Sequence, residues 1–442
     1  MEIAIIADDL TGANDSGVQL AKAGLDTVVW LNGGGMDSMS AEAVIVDTNS
    51  RALEPSEAKE AIHLAMDKLN QFAPSVIFKK VDSTLRGNVG AELEAMIEAS
   101  EPDYVLLAPT FLPNKRIVEN GILFVNGQPI GETEFAQNEA DPVKHSAIRD
   151  HVGLQFAGSM TVVPESIWDK SDVDIQNWFN EKRVIVRIIF ICDASAADTL
   201  AKIAAFTESQ EQRILLAGSA GLSEALTRSI SGKKKPSLHS NHGADPILYL
   251  VGSMSDMSKQ QVSRLLQHDQ TVGIRLDASK AVNEDPYVQA REYERLIQEA
   301  RQALEQNKIP VVYSGTSRAE IDAVYAYAKE EQLSLHVLAK RIVNVLAVVG
   351  EALMESFTFQ AVIMTGGDTA KALCSRMNID ELRLLAEFEA GIPVAQFPGK
   401  YKQTYAITKA GAFGTKQTFS NLYQFFMEGQ KRNETNHWYN HG

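Results

Sequence analysis

Two adjacent carboxylates, Asp8 and Asp9, follow directly on the apolar run Ile3–Ala7 and precede Thr11, Gly12 and Asp15. Side chains of this kind can orient or deprotonate a hydroxyl group, and a single helix cap does not need several acids. Val46-Asp47-Thr48-Asn49-Ser50-Arg51 repeats the pattern, an apolar run ending in a carboxylate, hydroxyls and a guanidinium. Phe78-Lys79-Lys80-Val81-Asp82-Ser83-Thr84-Leu85-Arg86-Gly87-Asn88 repeats it again, with cations on both sides of an acid and two hydroxyls. Together the three ends describe a pocket for a small polyhydroxylated acid. Arginine grips a carboxylate through parallel hydrogen bonds, and aspartate accepts from sugar-like hydroxyls.

Such groups need a scaffold that brings strand ends together. Apolar runs at 3–7, 27–31, 43–47, 76–81, 104–108, 184–192 and 213–217 alternate with helical stretches such as 56–72 and 88–99. That alternation predicts an α/β fold with a mainly parallel sheet, whose carboxyl edge carries the reactive groups. Between 110 and 131, Asn120-Gly121 and Asn126-Gly127 are turn signals flanked by apolar residues, which predicts a β-hairpin excursion covering a site at that edge. A second α/β series follows, with strands near 247–251, 272–276, 311–313 and 361–364. The reading divides the chain into a domain over 1–230, a polar Gly- and Pro-containing linker over 231–245, a second domain over 246–430 and a tail over 431–442.

Strand–helix junctions rich in Gly and hydroxyls recur at 216–221, 251–255, 313–317 and 364–369. Gly admits a ligand close to the backbone, and N–H groups at a helix start suit phosphate, so the second half is expected to hold a phosphate-bearing ligand. No Gly-x-x-x-x-Gly-Lys-Ser/Thr is present, nor are the His-Arg-Asp and Asp-Phe-Gly signatures of protein kinases. Adjacent Asp8 and Asp9 do not fit the Asp-x-Asp spacing of an aspartyl-nucleophile phosphatase. Ala217-x-Ser219-x-Gly221 approximates a nucleophile elbow and keeps a serine hydrolase open as another class.

With 442 residues, 45% apolar and 22% charged, the chain reads as globular and longer than one ordinary core. A net charge of −15 argues against nucleic acid, and no apolar run approaches the roughly 20 residues of a membrane span. The start of the chain reads as a strand rather than a leader. Cys192 and Cys374 lack metal-ligand spacing, so a reducing cytoplasm is expected. Local cations such as Lys79, Lys80 and Arg86, or more weakly Lys400, Lys402 and Lys409, remain available to small anions.

These motifs resemble the four-carbon acid sugar kinases. The matching pieces are Ile6–Ala13, Asp47–Arg51, Lys80–Asn88, Val251–Ser255, Gly366–Thr369 and Lys409–Gly414, in the family's order and along nearly the whole chain. The resemblance implies an N-terminal sugar-acid-binding domain, a C-terminal nucleotide-binding domain, and ATP-dependent phosphorylation of the terminal hydroxyl of a tetronate-type acid. It implies ATP with Mg²⁺, a small sugar acid as partner, neither nucleic acid nor membrane, and it leaves a homo-oligomer open. The run Lys-Val-Asp-Ser-Thr-Leu-Arg-Gly-Asn is more like the D-threonate and D-erythronate kinases than the 3-oxo-tetronate kinases. Asp368 stands where the family often has Glu, and Ala410 where it often has Ser.

Carried onto this sequence, the substrate residues are Asp9, Arg51, Lys80, Asp82, Ser83, Thr84, Leu85 and Arg86. Arg51 would grip the carboxylate, Asp82, Ser83 and Thr84 would hold hydroxyls, and Asp9 would act as base, with Asp82 second. The nucleotide residues are Ser253, Ser255, Gly366, Gly367, Asp368, Thr369 and Gly411, with Asp368 also a candidate for Mg²⁺. A sugar-acid sensor without catalysis and a hydrolase using Ser219 are the competing classes.

Overall fold

The computed structural model describes residues 1–31, 41–137, 142–183, 187–229, 245–283, 285–314, 326–327, 329 and 334–427. The expected tail, the Gly315-Thr316-Ser317 junction and nearly all of the expected linker lie outside them. The chain divides into two compact units, Met1–Pro236 and Ser237–Gly442.

In the first unit the strands are β1 (Ile3–Ala7), β2 (Thr27–Trp30), β3 (Ala43–Asp47), β4 (Val76–Lys80) and β5 (Tyr104–Ala108), then β6 (Arg116–Glu119), β7 (Ile122–Val125) and β8 (Gln128–Pro129), then β9 (Ser159–Val163), β10 (Ile188–Cys192) and β11 (Ile214–Gly218). Eight of them form a sheet in the order β2-β3-β1-β4-β11-β5-β10-β9, and every pairing is parallel. β1, β2, β3, β5 and β10 are buried at every position. Runs of Val and Ile without alternation are what a sheet covered on both faces requires. Helices α1 (Leu10–Lys22), α2 (Pro55–Asn70) and α3 (Val89–Ser100) follow β1, β3 and β4. Pro55 in the first turn and a Glu54/Glu57 capping box start α2. Ile62, Met66 and Leu69 of α2 join Leu93 and Met96 of α3 in one core with Ile6, Val28 and Val44 of the sheet.

The excursion is a three-stranded antiparallel meander, β6-β7-β8, rather than a single hairpin. Asn120, Gly121, Asn126 and Gly127 all take positive φ, from 52° to 81°. Two-residue hairpin turns of type I′ need this conformation at both positions, and Asn-Gly supplies it at low cost. The first turn is fastened by Asp193, just beyond β10, whose carboxylate accepts the Asn120 and Gly121 amides at 2.9 and 2.8 Å. The meander is thereby tied to the carboxyl edge of the parallel sheet.

The second unit contains β12 (Ile247–Val251), β13 (Thr271–Leu276), β14 (Ile309–Ser314), β15 (Ala361–Thr365), β16 (Glu381–Glu389), β17 (Ile392–Gln396) and β18 (Tyr405–Lys409). Their order is β13-β14-β12-β15-β18-β17-β16. The first five in that order pair in parallel, while β17 and β16 run antiparallel. The sequence reading missed β9 and the last three strands. β16 to β17 is a tight hairpin through Gly391, at φ 74°, with no helical stretch to announce it.

Candidate functional site

In the first unit β1 pairs β3 on one side and β4 on the other, with Ala7 opposite both Asp47 and Lys80. The chain leaves β1 toward β3 and β2, then returns to the opposite side for β4. A crevice opens at such a reversal of strand order, outside the carboxyl ends. Asp8-Asp9 and Asp82–Arg86 sit on either side of it.

Arg51 ties the first two ends together. Its Nε and Nη2 donate to the two oxygens of Asp8 at 2.7 and 2.9 Å, and its Nη1 donates to Asp9 Oδ2 at 2.8 Å. The other Asp9 oxygen accepts the Gly12 amide at 2.8 Å and caps α1. Asp8 is 2% exposed, whereas the Asp9 side chain is 23% exposed and is the one open to a ligand. A Cβ at position 12 would lie 2.9 Å from both Asp9 Oδ1 and Lys80 Nζ. A side chain at this position would push the lysine head and the capping carboxylate oxygen aside. Burial works to raise the Asp8 pKa, but Arg51, with Lys79 and Lys80, overcomes it and holds the carboxyl below its ordinary value. Arg51 is raised correspondingly: burial opposes its charge, and Asp8 and Asp9 more than compensate.

At the β4 end, Asp82 Oδ2 accepts the Arg86 Nε at 2.6 Å and the Thr84 hydroxyl. Against burial, Arg86 and then Arg51 hold Asp82 far below the usual carboxylate range. The Leu85 amide closes a turn onto the Asp82 carbonyl at 2.8 Å, with Leu85 at φ 60°. That left-handed backbone is uncommon for a bulky residue and marks a functional or strained turn.

Beneath these groups lies a fully buried ion pair, Lys79 with Glu92 of α3, at 2.8 Å. Glu92 also accepts the Ser50 hydroxyl, and Ser50 meets Thr48 at 2.7 Å. Burial and neighbouring Asp8 push Glu92 above its ordinary value even with Lys79 beside it. Neither Glu92 nor Arg116, whose Nη1 donates to Ser83 Oγ, was among the site residues expected from sequence. Glu92 carried a signal: it occupies an apolar-face position of α3, three residues after Val89 and four before Met96.

In the second unit the equivalent reversal lies between β12 and β15. There Ser253, Ser255, Gly366, Gly367, Thr369 and Gly411 come together. The Gly411 carbonyl accepts the Ser255 and Ser258 hydroxyls at 2.6 and 3.0 Å. A Cβ at Gly411 would stand 2.1 Å from Ser253 Oγ, and one at Gly252 would stand 2.3 Å from Thr369 Oγ1. Gly366, at φ 95°, starts the helix Gly367–Arg376, and its amide donates to the Lys409 carbonyl at 2.8 Å. Asp368 is exposed on the first turn of that helix. Lys409 does not join Lys400 and Lys402 in one basic surface, because they are exposed and it is 2% exposed. Its ammonium donates to the carbonyls of Ala410, Gly411 and Phe413 at 2.9–3.1 Å, and burial pushes its pKa down to about 8.

Residues 3–226 match the family described as a sugar-binding N-terminal domain, and residues 248–419 match the one described as a nucleotide-binding C-terminal domain. The D-threonate kinase of Salmonella typhimurium is 29% identical over 430 residues, covering 97% of this chain and 99% of its own. The chain belongs to the four-carbon acid sugar kinase family. The D-erythronate kinase of Heliobacterium modesticaldum is 26% identical and covers 96% of this chain and 97% of its own. The 3-oxo-tetronate kinase of Brucella melitensis is also 26% identical, covering 98% and 95%. A solved Salmonella typhimurium structure shares the fold at a TM-score of 0.81 and 20% identity, over 96% of this chain and 99% of that one. A solved Haemophilus influenzae structure does so at 0.75 and 22%, over 96% and 100%.

As a four-carbon acid sugar kinase the chain is a phosphotransferase with an alcohol acceptor, and its nucleotide-binding domain implies ATP. The serine hydrolase reading fails on geometry as well. Ser219 is 1% exposed, caps the helix Ala220–Leu226 through the Gly221 amide, and donates to the Thr110 carbonyl. Its junction is a buried helix start. No described helix is long and apolar enough to cross a membrane.

Proposed function

We propose that this kinase transfers the γ-phosphoryl group of ATP to the terminal 4-hydroxyl of a four-carbon sugar acid, D-threonate before D-erythronate or a 3-oxo-tetronate. The order of preference rests on the run Lys80–Asn88 and on the D-threonate kinase relative. The observation that carries the reading is the meeting of three strand ends at one strand-order reversal, with Asp9 open and Asp8 sealed beneath Arg51.

Asp9 accepts the proton of the attacking hydroxyl. Its two anchors, the Arg51 Nη1 and the Gly12 amide, fix its direction and leave lone pairs toward the crevice. Fixed direction is what phosphoryl transfer asks of this group, because positioning and charge neutralisation outweigh proton removal. Asp82, held far below the usual carboxylate range, is the poorer base and serves as an acceptor for substrate hydroxyls. Ser83, Thr84 and Arg86 add further hydroxyl and cationic contacts. Leu85, at φ 60°, makes the turn between them, and Lys80 and Arg51 offset the charge of the acids.

In the second unit Ser253, Ser255, Gly366, Gly367, Thr369 and Gly411 hold the nucleotide through hydroxyls and amides. The missing Cβ atoms at Gly252 and Gly411 let the loops close on each other. Among the described residues no group of three or more His, Cys, Asp or Glu is gathered for a resident metal. A nucleotide-borne Mg²⁺ needs only one or two protein carboxylates. Asp368 fits that demand, and the ion would neutralise phosphate charge.

A coupled ADP-release assay with Mg-ATP tests the reading against D-threonate, D-erythronate, their L-isomers and 3-oxo-tetronates. Selective turnover of D-threonate is expected. Binding of an acid with no ADP release from any of them would instead support the sensor.

A further inference from the structure

Arg51, Arg86 and Arg116 all reach the first-unit crevice, yet their charges are not in the same state. Arg51 is already held by Asp8 and Asp9 through three of its five N–H donors. A substrate carboxylate placed there would meet two carboxylates on one guanidinium, and like charges at that range repel. Arg86 pairs with Asp82 at 2.6 Å. Arg116 makes no ion pair among the described residues.

Arg116 nonetheless occupies a built position. It opens β6, and its Cζ lies 5.6 Å from the Phe135 ring centroid, within cation–π range. Its Nη1 donates to the Ser83 hydroxyl, while its Nε is buried without a hydrogen-bond partner. Asp82 is the acidic influence on it, and Arg86 already contacts that carboxylate, so two guanidiniums converge on one acid. Burial, with Arg86 nearby, lowers the Arg116 pKa, the behaviour of a cation still short of an anion. The corner beside Ser83 and Thr84 therefore carries one uncompensated positive charge, delivered by a meander fastened to the sheet edge at Asp193.

We propose that Arg116 binds the carboxylate of the four-carbon acid, with the Nη atoms of Arg86 beside it, and so makes the site select acids over neutral polyols. The proposal rests on the sugar-acid reading of this crevice. Arg51 then acts chiefly by orienting Asp9. With the carboxylate end of a short chain fixed at Arg116 and the hydroxyls on Asp82 and Thr84, the far end is the part left for Asp9, which accounts for attack by the terminal hydroxyl.

The test is calorimetric binding of D-threonate and D-erythronate to the wild type, Arg116→Met, Arg116→Lys and Ser83→Ala, with ADP release measured in parallel. The parallel assay includes the matching tetritol, which carries CH₂OH in place of the carboxylate. A hydrogen bond to a charged group contributes about 1.5–3 kcal/mol, so Arg116→Met should weaken acid binding about 10- to 100-fold. The KM for ATP and turnover of the tetritol should stay as in the wild type, and thermal unfolding of the variant will show that it is folded. Arg116→Lys should fall between, because it keeps the charge but loses the planar fork. Equal loss for acid and tetritol, or a Ser83→Ala variant reproducing the whole loss, would reduce Arg116 to a support for Ser83. Acid that binds the wild type and not Arg116→Met, without ADP release, would leave the proposal standing and overturn the kinase reading instead. Turnover of the acid with undiminished binding by Arg116→Met would do the reverse.

Discussion

The two crevices occupy the same topological position in their units and solve their problems with opposite chemistry. In the first, carboxylates and guanidiniums interlock: Asp8, Asp9 and Asp82 with Arg51 and Arg86, above the buried pair of Lys79 and Glu92. In the second, the gathered groups are Ser253, Ser255, Thr369, glycines and carbonyls, and a buried cation, Lys409, is held by three peptide oxygens. A small acid with several hydroxyls demands directional, charge-specific contacts that are already in place. A nucleotide brings its own charge and bulk, and asks for close backbone approach and N–H donors. Interlocked charge makes the first crevice stiff and sensitive to any lost partner. The second should be sensitive to added volume.

The largest effect should come from Asp9→Asn. If Asp9 is the base proposed above, losing it should lower kcat by about 10²–10⁴-fold. ATP affinity, measured by calorimetry, should be unchanged, since Asp9 belongs to the first crevice. An Asn variant with wild-type turnover would end the catalytic assignment of Asp9.

Next is the buried pair. Glu92→Gln leaves the Lys79 ammonium sealed without its anion, which should cost about 3–5 kcal/mol. Urea unfolding should show that loss, while replacing both members, Lys79→Met with Glu92→Leu, should recover much of it. A single variant as stable as the wild type would mean the first crevice does not depend on interlocked charge.

In the second crevice, Gly411→Ala tests volume. The new methyl would overlap Ser253 Oγ, which stands 2.1 Å from its position, so the hydroxyl must turn away. The KM for ATP should rise by about tenfold, the weight of one hydrogen bond of about 1.5 kcal/mol, with the KM for the acid unchanged. Equal movement of both constants would blur the division of labour.

The smallest effect concerns pH. Below about 8 the Lys409 ammonium is charged and can donate to all three carbonyls; above it one donor is lost and the 410–414 loop loosens. The KM for ATP should climb a few-fold from pH 7.5 to 9, and Lys409→Met should flatten that profile. Stability moves the other way. The unfolded lysine keeps its proton up to its ordinary 10.5, so between about 8 and 10.5 the unfolded chain binds more protons and the fold gains as pH rises. A melting temperature that falls as pH rises from 8, or a KM for ATP that stays flat, would contradict this account of Lys409.

Much of the first unit was legible because its strands are short apolar runs closed by polar clusters, and β1 and β5 fall at the predicted residues. The three acidic ends were readable because each combines carboxylate, hydroxyl and cation within a few residues. What sequence could not show is pairing across distance. Arg51, expected to grip a substrate carboxylate, also holds two of the chain's own, Asp8 and Asp9, from 43 and 42 positions away. Arg116 sat in plain sight inside the 110–131 excursion, but nothing local says that it reaches Ser83, 33 residues earlier. Lys409 read as part of a basic cluster with Lys400 and Lys402; its burial comes from β18 lying inside the sheet between β15 and β17.

The central claim is that the two crevices divide the ligands. Calorimetry of D-threonate and of a non-hydrolysable ATP analogue, each against Asp82→Asn and Gly411→Ala, tests it most directly. Asp82→Asn should lose the acid and keep the nucleotide, and Gly411→Ala should weaken the nucleotide and keep the acid. Loss of both ligands by either folded variant, or retention of the acid by Asp82→Asn, would contradict the division.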